Sequence, residues 1–160
     1  MLVKLYGQEF PSQQRELEGR GVRILRPLAL DKRRVCDFVA RAFDNPGWVA
    51  ECEAALLRQP ASCYIAVVGG EVVGFACFDA TAKGMLGPIG VSEAHRGQGI
   101  AAELIRQCLL AMRAEGYAYA VIGWVSSEAF YTRVCGAVTI PDSAPGIYAR
   151  MVVPPPVAPG

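Results

Sequence analysis

The chain has 160 residues, of which 52% are hydrophobic and 19% are charged. This length corresponds to about one domain, and the composition excludes an intrinsically disordered protein. Lys and Arg total 16 against 15 Asp and Glu, so the formal net charge of +1 creates no field that would hold a nucleic acid nonspecifically. We therefore predict a domain with a sizeable core and no nucleic-acid partner.

The N-terminal residues lack the apolar run of a secretory signal, and no stretch reaches the roughly 18 apolar residues of a membrane span. We expect a cytoplasmic protein with no membrane partner. The cysteines occur singly, without a Cys-x-x-Cys pair and with one histidine in the chain. This spacing predicts buried free thiols and no metal site. The six are Cys36, Cys52, Cys63, Cys77, Cys108 and Cys135.

Three segments follow from the distribution of apolar residues. Residues 1–20 are polar and weakly patterned, which is typical of an N-terminal arm or a short strand. Residues 21–153 carry the apolar periodicity of one domain. Residues 154–160 contain prolines that lack amide donors, so they are predicted to form a flexible tail.

The first half of the domain predicts a strand, two helices and a hairpin. The strand contains Val22, Ile24 and Leu25 and stops at Pro27. A helix capped by Asp31 runs to Phe43, and a second helix begins at Asn45-Pro46 and ends before Pro60. The hairpin joins two apolar runs, Cys63 to Val68 and Val72 to Phe78, through Gly69-Gly70.

The second half alternates strands and helices, which indicates a mixed α/β domain. A strand from Met85 to Val91 contains Gly87 and Pro88, so we expect a bulge or a splayed edge there. The strongest helical pattern runs from Ile100 to Glu115. The remaining predicted elements are a strand over Tyr119 to Val125, a helix over Ser127 to Cys135, and strands over Val138 to Ile140 and Ile147 to Val153.

Between the Met85 to Val91 strand and the long helix lies the segment Arg96-Gly97-Gln98-Gly99-Ile100-Ala101. Unpaired amides at a helix start and glycines that admit a close approach are typical of a phosphate site. A Walker loop is excluded because Gly99 is not followed by Lys and Ser or Thr. A dinucleotide-binding loop, and a tight turn that needs glycine only for its φ angles, remain as alternatives.

The spacing Arg96-x-x-Gly99-x-Ala101 resembles the phosphate-binding motif of the GCN5-related N-acetyltransferase (GNAT) superfamily. Element order is similar from about Val22 to Val153, and Phe130-Tyr131 followed by Gly136 falls at the family's spacing. The resemblance implies a single-domain fold whose mixed, mostly antiparallel sheet is splayed at its central strands and flanked by helices.

The resemblance also implies a binding site for acetyl-CoA. The pyrophosphate would be held by the loop Arg96, Gly97, Gln98, Gly99, Ile100 and Ala101. The backbone of Ile89, Gly90 and Val91 would align the pantetheine arm, with Ile89 also polarising the thioester carbonyl.

Tyr131 takes the position of the family's usual general acid for the departing thiolate. A phenol has a pKa near 10 and is protonated at neutral pH, as that role requires. The alternative is a core aromatic beside Phe130. Cys135 near this helix end is interpreted as a packing residue, with a covalent nucleophile as its alternative.

Two residues are candidates for the acceptor side, Trp124 and Glu128. Trp124 stands where many family members have asparagine. Together with Phe130-Tyr131 and Pro145-Gly146-Ile147-Tyr148, the run Gly123-Trp124-Val125 resembles a bacterial subgroup associated with amino-sugar acetylation. The sequence does not rank the candidate general bases, which are Glu71, Asp79, Glu93, His95 and Glu128.

These inferences predict direct transfer of an acetyl group from acetyl-CoA to a primary amine of a small molecule, without a metal ion. A catalytically silent acyl-CoA-binding module is the alternative, because the same loop and strand would serve it. A homodimer is left open by the sequence.

Overall fold

A computed structural model describes residues 1–155. Of the predicted tail, residues 154 and 155 are described, and residues 156–160 lie outside the described residues. No helix in the described part of the chain has the length and apolar character needed to cross a lipid bilayer. The strands are β1 (Leu2–Lys4), β2 (Val22–Leu25), β3 (Cys63–Val68), β4 (Glu71–Phe78), β5 (Leu86–Val91) and β6 (Tyr119–Val121). The α-helices are α1 (Gln14–Gly19), α2 (Lys32–Ala42), α3 (Pro46–Leu56), α4 (Ile100–Ala114) and α5 (Glu128–Cys135).

Four strands form an antiparallel sheet in the order β2-β3-β4-β5. The β3–β4 hairpin turns at Gly69 and Gly70, whose φ angles of 59° and 87° are the positive values that a two-residue turn requires. The register shifts on β4 between Ala76 and Phe78, opposite the segment of β5 that contains Pro88. The predicted hairpin and the irregular strand are both confirmed.

Helices cover both faces of this sheet, so successive residues of β4 enter different cores. Phe75 packs in the core beneath α2 and α3, where Val35, Val39 and Leu56 are also buried. Phe78 packs on the opposite face, in the core built on α4. The mixed α/β fold with flanking helices is therefore as predicted.

The sheet is splayed where β5 lies beside β6. The two strands meet at one parallel bridge between Met85 and Val121, and the Val121 amide donates to the Gly84 carbonyl oxygen at 2.9 Å. The predicted strand from Tyr119 to Val125 is therefore too long, because extended pairing ends at Val121 and Trp124 takes a φ of +49°. An open edge is left along the rest of β5.

The N-terminal segment forms the strand beside β6, and neither of the two predicted C-terminal strands forms. Strand β1 pairs antiparallel with β6, and the Leu2 and Val138 amides each donate to the other residue's carbonyl oxygen, at 2.7 and 2.9 Å. The strand prediction over 138–140 was wrong because this pairing is a single bridge. The prediction over 147–153 was also wrong: β1 occupies the edge of β6, and residues Gly146–Arg150 form a 3-10 helix.

Candidate acetyl-CoA site

A cleft of about 570 Å³ opens between the splayed edge of β5, the start of α4 and the helix α5. Most residues that the sequence analysis assigned to the cofactor and to catalysis line it. Those residues are Ile89, Gly90, Val91, Arg96, Gly97, Gly99, Ile100, Ala101 and Tyr131. Gln98 is not among the lining residues: its carbonyl oxygen accepts from Arg20 at 2.7 Å, and its side chain donates to the Ala94 carbonyl oxygen at 3.4 Å.

The loop before α4 presents backbone amides to the cleft. Gly97 and Gly99 have φ angles of 73° and 84°, which lie in the left-handed region that favours glycine. Glu103 makes the first hydrogen bond of the helix, to the Gly99 carbonyl oxygen at 3.1 Å. The amides of residues 100–102 precede that bond and have no acceptor within the helix. They face the cleft at the positive end of the helix dipole, which favours an anion.

Arg96 and His95 brace this loop against the end of β5. The Arg96 Nε donates to the Val91 carbonyl oxygen at 3.2 Å. The His95 Nδ1 and the Ser92 Oγ are hydrogen-bonded at 2.9 Å. Arg96 thus braces the loop through its side chain, and the contact with Ser92 occupies one nitrogen of His95, a candidate base.

Strand β5 directs two amides into the cleft. The Ser92 amide donates to the Val73 carbonyl oxygen at 2.8 Å, and Gly90 pairs with Phe75 two residues earlier. Residues in an antiparallel pair alternate between those that bond to the partner strand and those that point away from it. Ile89 and Val91 take the alternate positions, so their N–H groups point away from β4 towards the splayed edge. An extended ligand would find two donors there, as on a free strand edge.

Tyr131 lies on α5, a short helix with well-defined ends. The Ser127 Oγ accepts from the Phe130 amide at 3.3 Å, and Gly136 ends the helix with a φ of 64°. Burial raises the pKa of Tyr131, with smaller contributions in the same direction from Cys135 and Tyr148. The phenol is therefore protonated at neutral pH and available as a proton donor.

Cys135 has the environment of a packing residue. Its side chain is buried, and its Sγ lies 3.1 Å from the Tyr131 carbonyl oxygen. Burial raises the pKa of its thiol to about 11. Because the thiolate is the nucleophilic form, this environment disfavours a covalent role for Cys135.

The two acceptor-side candidates do not line the cleft. Glu128 accepts a hydrogen bond from the Thr139 hydroxyl group at 3.0 Å, on the exposed side of α5. The Trp124 side chain is 66% exposed and packs edge-on against Tyr148, with ring centroids 5.1 Å apart. Among the candidate bases, Glu71 and Glu93 are exposed. Asp79 is held in a structural network with Arg58 and Tyr117.

Near Trp124 lies Tyr148, whose segment the sequence had already indicated, and with it two residues that the sequence did not indicate, Glu51 and Thr81. Glu51 accepts a hydrogen bond from the Thr81 hydroxyl group, and burial raises the pKa of its carboxyl group. The pKa of Tyr148 is raised by burial and then by the charge of Glu51, while Thr81 acts in the opposite direction. The one available signal was the helical spacing between Glu51 and Trp48, an aromatic residue that lines the cleft.

All six cysteines are buried, as predicted. The fold also brings together three that are far apart in sequence. The sulfur atoms of Cys52, Cys63 and Cys77 lie within 4.8 Å of one another. Burial raises the pKa of the Cys77 thiol, which opposes the deprotonation that metal ligation requires. The absence of a bound metal stays a prediction.

Comparison with known proteins agrees with this geometry. The chain is similar in structure to the glucosamine N-acetyltransferase region of a fungal multi-domain GH3 β-N-acetylglucosaminidase, with a TM-score of 0.67 and 16% identity over 84% of this chain and 19% of that one. A GCN5-related N-acetyltransferase from Sphaerobacter thermophilus gives a TM-score of 0.62 and 21% identity over 83% of this chain and 45% of that chain. The chain thus spans less than half the length of either protein.

A GNAT family acetyltransferase from Brucella melitensis, solved in complex with acetyl-CoA, gives a TM-score of 0.53 and 25% identity over 70% of this chain and 80% of that one. No curated protein sequence matches the chain. The sequence profile described as "Acetyltransferase (GNAT) family" matches residues 28–137, which is more than half of the chain. The protein therefore belongs to the acetyltransferase (GNAT) family.

Proposed function

We propose that this protein transfers the acetyl group of acetyl-CoA directly to a primary amine of a small molecule. The observation that carries the proposal is the convergence on one cleft of three features. These are the helix N-terminus at residues 100–102, the outward amides of Ile89 and Val91, and the protonated phenol of Tyr131. The acetyl-CoA bound to the Brucella melitensis relative supports the choice of acyl donor.

The reaction needs no covalent intermediate on the protein. The amine nitrogen attacks the thioester carbonyl carbon, and the negative charge that develops on the oxygen is stabilised by the amide of Ile89. The C–S bond then breaks, and Tyr131 donates its proton to the departing thiolate. The surplus N–H proton of the new amide passes to solvent, from which Tyr131 is reprotonated. A phenol with a raised pKa is a weak acid, so a preorganised position beside the sulfur is what makes this proton transfer effective.

We place the acceptor amine beside Glu51, Trp124 and Tyr148. The carboxylate of Glu51 would bind the ammonium form and then accept its proton, which frees the lone pair for attack. Glu51 lies on α3 three residues after Trp48, which lines the cleft, so this group adjoins the acyl-donor site. A single carboxylate together with the packed rings of Trp124 and Tyr148 favours a compact acceptor with a single positive charge. An amino sugar is the first acceptor to test.

The test is a thiol-release assay with acetyl-CoA and a panel of acceptors: amino sugars, amino acids, polyamines, aminoglycosides and peptide N-termini. At least one amine is expected to give free CoA and an acetylated product of matching amount. A silent acyl-CoA-binding module would bind CoA and release no thiol with any acceptor. That result would overturn the proposal.

The Tyr131→Phe variant tests the role of the phenol. We expect kcat to fall about 100-fold while the affinity for CoA stays within twofold, because general acid catalysis contributes at least that factor. Tyr119→Phe is the matched control, since its hydroxyl group pairs with that of Tyr6 at 2.7 Å and lies outside the cleft. Equal rates for the two variants would exclude Tyr131 as the acid.

A further inference from the structure

The N-terminal arm, defined as residues 8–20, is attached to both sides of the loop that precedes α4. On one side, the Gln13 amide donates to the carboxylate of Glu103 at 2.8 Å. Glu103 is fully buried, and its other carboxylate oxygen accepts from Arg106 at 3.0 Å and Gln107 at 2.8 Å. On the other side, Arg20 donates to the carbonyl oxygen of Gln98, within the loop itself.

These attachments place the carboxamide of Gln13 directly on Gly99. A β carbon at position 99 would lie 1.7 Å from the Gln13 Oε1 and 3.6 Å from its Nε2. Gln13 lines the same cleft as the first-turn amides of residues 100–102. Among residues 1–155, the hydrogen bonds that Gln13 makes use its backbone amide and carbonyl groups, which leaves the carboxamide available to a ligand.

We propose that Gln13 is a phosphate-binding residue, whose Nε2 donates a hydrogen bond to the diphosphate of CoA. This inference rests on the proposed function, because it requires CoA in the cleft. A neutral carboxamide suits the position: it supplies donors to an anion without adding a charge that would have to be neutralised when the cleft is empty. The arm, which lies outside the residues matched by the family profile, thereby becomes a wall of the cofactor site.

The experiment compares CoA affinity, measured by titration calorimetry, in four variants of the full chain. Gln13→Ala is expected to raise the Kd for CoA about tenfold, as for loss of a hydrogen bond to a charged group. Gln13→Glu is expected to raise it further, because a carboxylate there would repel the diphosphate.

Gln14→Ala and Gln14→Glu are the matched controls. The Gln14 side chain donates to Glu18 at 2.8 Å on the exposed side of the arm. Both changes are expected to leave the Kd for CoA within twofold. They separate a contact at the cleft from a general effect of altering the arm or its charge.

A second ligand, acetyl-pantetheine, tests whether the effect of Gln13 on binding depends on the diphosphate. Acetyl-pantetheine lacks the diphosphate, so its KM is expected to be the same for the wild-type protein and Gln13→Ala. A Gln13→Ala protein that binds CoA as well as the wild type does would overturn the inference. Tighter binding would also overturn it, because the carboxamide would then be a competitor for the phosphate position. Failure of the wild-type protein to bind CoA would instead reject the proposed function.

Discussion

The ring of Phe43 lies against Gly90 so closely that a β carbon at position 90 would be 2.5 Å from the Phe43 Cζ. Gly90 and Phe43 both line the cleft, and the Phe43 ring also packs on Phe75 and Trp48. The glycine is therefore required by the aromatic ring that packs on it. Its backbone conformation is one that any residue adopts, since its φ is not positive.

We predict that Gly90→Ala lowers the free energy of unfolding by about 2 kcal/mol, the usual scale for inserting a carbon atom into a packed region. The Phe43→Leu change should recover most of that loss in the double variant, because it removes the ring atoms that clash. Urea unfolding of the single and double variants measures both effects. Additive losses in the double variant would contradict the steric explanation.

The placement of the acceptor predicts an effect of Glu51 on the rate. A general base must be deprotonated, and the pKa of Glu51 is raised above its ordinary value of 4.5 by burial. The acidic limb of the kcat profile should therefore lie above that value. Glu51→Gln is expected to lower kcat about 100-fold at neutral pH. Glu53→Gln, an exposed neighbour on the same helix, serves as the control, and equal kcat values for the two variants would exclude Glu51 as the base.

The segment formed by β1 and the residue after it, Leu5, is expected to stabilise the fold as core residues do. The Leu5 side chain is fully buried, and its amide donates to the Ala118 carbonyl oxygen at 2.9 Å. Leu5→Ala should lower the free energy of unfolding by about 3 kcal/mol. Lys4→Ala, at the exposed neighbouring position, should change it by less than about 0.5 kcal/mol. Thermal or denaturant unfolding of the pair decides whether the segment is integral to the domain.

The environment of the Asp79 carboxylate leads us to expect a loss of stability in acid. Its carboxylate accepts hydrogen bonds from Tyr117 at 2.6 Å, the Gly84 amide at 2.7 Å and Arg58 at 2.8 Å. Burial acts to raise the pKa of Asp79, but these three hydrogen bonds together outweigh it and hold the pKa below 3.8. The native state thus gains stability above the unfolded pKa, and loses that gain as pH falls through the folded value.

Asp79→Asn should therefore cost about 2 kcal/mol at pH 7, and the difference from the wild type should shrink below about pH 4. Asp142→Asn is the control, because Asp142 has a similar φ of 53° but is exposed. Urea unfolding at pH 3, 5 and 7 measures the difference. A loss for Asp79→Asn that is the same at all three pH values would show that the charge is not its source.

Local patterns predicted most of the fold. The hairpin at Gly69-Gly70, the helix cap at Asn45 and the glycine-rich start of α4 each depend on residues a few positions apart. The prediction of strands near the C-terminus was wrong because strand formation there depends on distant partners. Val138 has strand-forming neighbours, yet it pairs with Leu2 of β1 at a single bridge, and no local pattern reports a partner so distant in sequence.

The two sides of the candidate site also differ in whether a local sequence pattern could predict them. The loop from Arg96 to Ala101 is one continuous motif, and its position on the cleft follows from the strand before it and the helix after it. The acceptor side joins Glu51 to Tyr148, almost a hundred positions apart, through the loop that contains Thr81. The sequence signal for this group is limited to the helical spacing of Trp48 and Glu51, because its other members come from distant segments. The candidate bases that the sequence offered therefore lay elsewhere.

The position of β1 has a consequence during protein synthesis. Its partners are residues 119–121 and 138, so this strand is synthesised well before them and stays unpaired until they have followed. At roughly 5–20 residues per second, that interval is on the order of ten seconds. We expect an unpaired apolar strand that is exposed for so long to bind chaperones. The two-stranded sheet of β1 and β6 cannot form until β6 has been synthesised.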